Sequence, residues 1–70
     1  MDRGIHERLR EARLAKGWNQ TELAEQVNIS QQAVSGYEKD RRPRFDVVIQ
    51  LCEALEISLD WLVWGEDEPL

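Results

Sequence analysis

The stretch from Gln20 to Lys39, QTELAEQVNISQQAVSGYEK, leaves few ways to fold. Asn19 stands before it as a helix cap, and Glu22 three residues later completes a capping-box-like pair. Trp18 before the cap and Leu23 inside form a hydrophobic staple. Leu23, Ala24 and Val27 recur at helical spacing and give this helix a buried side. Asn28 comes next, a residue that tolerates the left-handed backbone of a sharp turn. Ser30 caps a second helix, with Ile29 and Val34 as its staple and Val34 and Tyr37 toward the core. Gln31, Gln32 and Ser35 fall on its other side, near its N-terminal end. The expected unit is two short helices crossing closely at the small Ala24, joined by a tight turn.

The rest of the chain reads as a helical scaffold for this unit. Residues 3–16 place Ile5, Leu9 and Ala12 on one side of a helix that stops at Gly17. Its Arg8, Arg10, Arg13 and Lys16 alternate with Glu7 and Glu11, which for most of them reads as a solvated face with i,i+4 pairs. His6 reads as a surface residue. Lys39 to Arg44 form a basic loop, and Pro43 marks the approach to a helix over Phe45–Leu55. That helix turns Phe45, Val48, Ile49, Cys52 and Leu55 to one apolar side. Ser58 caps a short fifth helix, with Asp60 in the first turn where the dipole favours it, and Gly65 ends it.

The fold expected is therefore all-α, five helices within residues 1–65. Residues 66–70 are expected to be an acidic flexible tail or the start of a hinge. The expected core is Ile5, Leu9, Trp18, Leu23, Ala24, Val27, Ile29, Val34, Tyr37, Phe45, Val48, Cys52, Leu55, Leu59, Trp61 and Leu62. Two readings of the chain's extent stay open, a complete protein or the N-terminal part of a longer two-domain one.

Seventy residues allow one domain with a marginal core. Cys52 is the only cysteine, so no disulfide staples the chain, and a lone thiol on an apolar face reads as a small core residue. It suits a reducing cytoplasm, which is the expected location. No basic n-region precedes an apolar run, and no apolar stretch approaches the roughly 20 residues of a membrane span. One His, one Cys, no metal-ligand spacing and no glycine-rich phosphate loop argue against an enzyme, a metal or a cofactor. The net charge of −5 is unevenly spread. Residues 1–45 hold all nine basic residues against seven acids, whereas residues 46–70 hold seven acids and no base.

Glutamines at the exposed start of the second helix of such a hairpin suggest a chemistry. A Gln side chain is a bidentate match to the N6/N7 edge of adenine, and helix-turn-helix domains read bases from this position. A helical bundle with no nucleic-acid role can also place Gln-Gln on its surface. Gly36, in mid-helix, costs about 1 kcal/mol relative to Ala, so close packing or close approach to a ligand is needed to explain it.

Gln20–Lys39 resembles the helix-turn-helix of the lambdoid phage repressor and Cro family, also called the XRE family. The resemblance extends over about residues 5–65. It rests on the order and spacing of Lys16-Gly17-Trp18-Asn19-Gln20, Glu22-Leu23-Ala24, Ser30-Gln31-Gln32, Pro43-Arg44-Phe45 and Ser58-Leu59-Asp60-Trp61-Leu62. It implies a transcription regulator, a phage-type or prophage-type repressor, binding a palindromic operator in double-stranded DNA as a homodimer, one formed on DNA if the free chain is a monomer. It implies base contacts from Gln31, Gln32 and Ser35, and phosphate contacts from Asn19, Gln20, Lys39, Arg41, Arg42 and Arg44. For Asn19, capping competes with the phosphate for the same side chain. Gln20 would also brace the recognition helix, and in some members the loop arginine matched by Arg44 lies over the minor groove. Arg13 and Glu38 match a buried ion pair joining the first helix to the end of the third. Val63 and Trp64 are the expected dimer contact, with core burial as the alternative.

The chain departs from the family in three places. Gly36 stands where several relatives carry a base-contacting side chain, which implies narrower readout or close approach to a thymine methyl. The loop between Glu38 and Pro43 is at least one residue short. Asn28 and Asp40 replace common glycines, and both tolerate left-handed geometry. Together with the acidic charge, Gly36 supports a competing reading, a protein-interaction module (or antitoxin or controller-type regulator) with weak or no DNA binding.

Overall fold

The computed structural model describes residues 4–65. It contains α1 (Gly4–Ala15), α2 (Gln20–Val27), α3 (Gln31–Tyr37), α4 (Phe45–Leu55) and α5 (Leu59–Trp64), with no strand among the described residues. Arg3, expected in the first helix, and the 66–70 tail lie outside the described residues.

Local chemistry sets the helix ends. Asn19 Oδ1 accepts from Glu22 N at 2.7 Å, and Glu22 Oε1 accepts from Asn19 N at 2.8 Å, so the capping box closes in both directions. Ser30 Oγ accepts from Ala33 N at 3.0 Å and Ser58 Oγ from Trp61 N at 2.9 Å. Asn28 closes α2 at φ 60°, ψ 46°, and its amide donates to Ala24 O. Gly17 and Gly65 also take positive φ. Asp40 does not, whereas Glu56, the C-cap of α4, adopts φ 58°. An ordinary side chain therefore holds the left-handed turn into α5.

Each helix supplies one of the five largest fully buried side chains: Leu9, Leu23, Val34, Leu51 and Leu62. Burying each is worth about 1.5–3 kcal/mol, so no helix is dispensable to the core. α2 packs on α3 and α4, while α1 and α4 pack on α5. Ala24 is buried at the α2 crossing. Trp18, Ile29, Tyr37, Leu59 and Trp61 are half-buried and pack against the core. Cys52 is buried, and desolvation pushes its thiol above the ordinary value.

Two apolar assignments on α4 are corrected. Phe45 is 67% exposed and Ile49 39% exposed. The buried stripe is Val48, Leu51, Cys52 and Leu55. Phe45 sits in the first turn, beyond the end of that stripe, and Ile49 is rotated to its rim. Leu51, absent from the expected core, is fully buried.

Candidate nucleic-acid interface

α1 carries more than an apolar face. Ile5, Arg8, Leu9, Ala12 and Arg13 form one buried stripe at helical spacing, so two of the four cations expected on or near a solvated face point inward. Arg13 meets Glu38, just past α3, through Nε to Oε2 at 2.7 Å and Nη2 to Oε1 at 3.0 Å. Its Nη1 donates to Trp18 O at 2.8 Å. The side chains are 8% and 4% exposed, so the expected buried ion pair is present. The hydrogen bond to Glu38 raises the Arg13 pKa further, against the opposing effect of burial.

The pair continues outward. Glu38 Oε1 also accepts from Gln20 Nε2 at 3.2 Å, and Gln20 Oε1 accepts from Gln31 Nε2 at 2.7 Å. A polar chain thus runs from the core to the exposed first residue of α3. A carboxylate only accepts, so Gln20 must turn its amide nitrogen to Glu38 and its oxygen to Gln31. Gln31 and Gln32 are exposed on α3, and Ser35 is half-exposed one turn after Gln31.

The loop after α3 is folded tightly onto that helix. Gly36 O accepts from the amides of Lys39, Asp40 and Arg41 at 3.0, 3.0 and 2.9 Å. A Cβ built on Gly36 would meet Arg41 Cδ at 2.8 Å, with Cγ and Cβ at 3.5 and 3.7 Å. The space left by the missing side chain is filled by Arg41. Lys39, Arg41, Arg42 and Arg44 are all exposed. Arg44 pairs with Asp46 at 3.1 Å, and this hydrogen bond lowers the Asp46 pKa. Asn19 spends its side-chain oxygen on the cap. In α5, Trp64 is 69% exposed, whereas Val63 is half-buried.

Sequence reasoning missed two side chains. Arg8 is 3% exposed and donates from Nε to Leu62 O at 2.9 Å and from Nη2 to Val63 O at 3.0 Å, tying α1 to the end of α5. His6, read as a surface residue, is half-buried with Nδ1 2.8 Å from Tyr37 O. The spacing of Arg8 from Ile5 and Leu9 was the available clue. Among the described residues, no group of three or more His, Cys, Asp or Glu side chains converges as a metal site, and no helix is long and apolar enough to cross a membrane.

Residues 9–62 match the family model described as Helix-turn-helix. The HTH-type transcriptional regulator ImmR of Bacillus subtilis (strain 168) is 41% identical over 65 residues, covering 91% of this chain and 50% of that protein. The chain thus spans about half the length of this relative. A crystal structure of the P22 c2 repressor protein in complex with a synthetic operator superimposes with a TM-score of 0.88 at 29% identity, covering 93% of this chain and 100% of that one. The restriction-modification controller protein C.AhdI from Aeromonas hydrophila gives a TM-score of 0.78 at 34% identity, covering 83% and 86%.

Proposed function

Because the chain belongs to the Helix-turn-helix family, we propose that it is a sequence-specific transcription regulator that binds double-stranded DNA. The observation that carries this is the polar chain from Arg13 through Glu38 and Gln20 to Gln31, which orients the Gln31 side chain at the exposed start of α3. The likeness to an operator-bound repressor supports it. α3 enters the major groove, and Gln31, Gln32 and Ser35 meet base edges. With its nitrogen toward Gln20, Gln31 offers its oxygen and second N–H outward, matching adenine N6 and N7. Phosphates are held by the spare N–H groups of Asn19 and Gln20 and by Lys39, Arg42 and Arg44, the last after exchanging Asp46 for phosphate. Two copies bind a palindrome with their α3 helices about 34–36 Å apart, in contact through Trp64 and the neighbouring Val63. Such a protein works in the cytoplasm.

Selection of bound sites from random duplex DNA tests the reading. The expected product is a palindrome, with affinity that falls steeply as salt rises. Recovery of no enriched sequence overturns it and leaves the protein-interaction alternative.

A further inference from the structure

Gly36 is a glycine without a backbone reason. It sits inside α3 with no positive φ, so any L residue fits its backbone. The three heavy atoms nearest to an added Cβ all belong to Arg41. They come closer in the order Cβ, Cγ, Cδ, so the stem runs onto the helix as it leaves its own backbone. Three consecutive amides bound to Gly36 O hold the loop in that position. Gly36 follows Gln32 by four residues, and the two lie on neighbouring parts of the face about opposite the buried Val34. Arg41 remains exposed, and among the described residues no hydrogen bond or ion pair engages its guanidinium, unlike that of Arg44 beside Asp46.

We propose that Arg41 takes the place of the absent side chain at position 36 and reads a guanine in the major groove. This rests on the DNA-binding reading above and gives Arg41 a different role from the phosphate contact that the family resemblance implied. A loop cation needs no path across the recognition helix to reach a phosphate. A base reader does, because only that face of α3 meets base edges. The guanidinium fork is a bidentate match to guanine O6 and N7. Four residues of helix advance about 6 Å, so the guanine lies within about two base pairs of the position read by Gln32, at 3.4 Å per step.

The test is site selection from random duplexes with the wild-type chain, Arg41→Ala, Gly36→Ala and, as a phosphate control, Arg42→Ala. The wild type is expected to select a palindrome with a G·C pair at symmetric positions. Arg41→Ala should lose about 10- to 100-fold discrimination at that pair and keep the rest of the consensus. Gly36→Ala, which displaces the Arg41 stem, should lose preference at the same pair while its helical circular dichroism is retained, since Ala is the better helix former. Arg42→Ala should weaken all sequences equally. The proposal is overturned if Arg41→Ala weakens every sequence equally, or if Gly36→Ala keeps the G·C preference. A wild type that selects nothing overturns the DNA-binding reading itself, a result seen before any variant is made.

Discussion

Gln20 Oε1 accepts from Gln31 Nε2 at 2.7 Å while Gln20 Nε2 donates to Glu38 Oε1 at 3.2 Å. The first residue of α2 therefore transmits the orientation of a buried carboxylate to the first residue of α3. Removing the Gln20 amide leaves Gln31 free to rotate, and a reader that must be ordered on binding binds less well. Gln20→Ala should lower operator affinity about 5- to 10-fold, corresponding to about 1 kcal/mol for the lost hydrogen bond. Urea unfolding should move little, because Gln20 is half-exposed. Unchanged affinity would mean that Gln31 needs no brace.

The Arg13–Glu38 pair lies at the root of the same chain, and the two side chains are almost fully buried. Glu38→Ala leaves the Arg13 guanidinium uncompensated in the core, which costs about 3–5 kcal/mol. Small domains hold about 5–15 kcal/mol in total, so this variant should be partly unfolded at room temperature. The paired replacement Arg13→Met with Glu38→Leu should recover most of that stability. It should not recover DNA affinity, since Gln20 then has no acceptor to face. Chemical denaturation and operator titration of the same preparations separate the two effects.

Arg8 joins α1 to α5 by donating to the carbonyls of Leu62 and Val63. Arg8→Met keeps much of the stem's volume but strips charged donors from carbonyls at the end of a six-residue helix. Hydrogen bonds to charged groups are worth about 1.5–3 kcal/mol, so a loss of that order is expected. It corresponds to a drop in Tm of about 6–24 °C for a domain of this size. Hydrogen exchange should localise the effect, with α5 amides protected less and α2 amides unchanged relative to global stability. A Tm within 2 °C of wild type would show that water replaces the guanidinium at no cost.

The contrast between Arg8 and Phe45 shows what was legible in the chain. Caps at Asn19, Ser30 and Ser58, and left-handed stops at Gly17, Asn28 and Gly65, are local chemistry, and all were readable from residue type and position. The bounds of α4 followed from Pro43 and the apolar run. Burial depends on the partner helix, which the local pattern does not contain. Phe45 looked like core, yet it lies beyond the end of the stripe that α5 and α2 cover. Arg8 looked solvated because its acceptors are α5 carbonyls, distant in sequence. Gly36 announced that something approaches α3, but the chain could not say that the visitor is Arg41, because the shortened loop decides it.

Glu56 combines two effects that can be separated. Lys16 Nζ lies 2.8 Å from Glu56 Oε1, and this hydrogen bond holds the carboxyl below its ordinary value of 4.5. A depressed folded pKa contributes stability that is present above the unfolded value and is lost as pH falls through the folded one. Glu56→Gln should therefore match the wild type's pH slope above 5 and show a shallower fall in Tm below 4.5, a small difference because the carboxylate is exposed. Glu56 also holds φ 58°, where a Cβ is strained and glycine is not. Glu56→Gly lacks the ion pair just as Glu56→Gln does, so the difference between them reports the backbone together with whatever neutral hydrogen bond the Gln oxygen keeps with Lys16. A higher Tm for Glu56→Gly than for Glu56→Gln at every pH is the expected result; equal values would show that the turn into α5 stores no more strain than that hydrogen bond offsets.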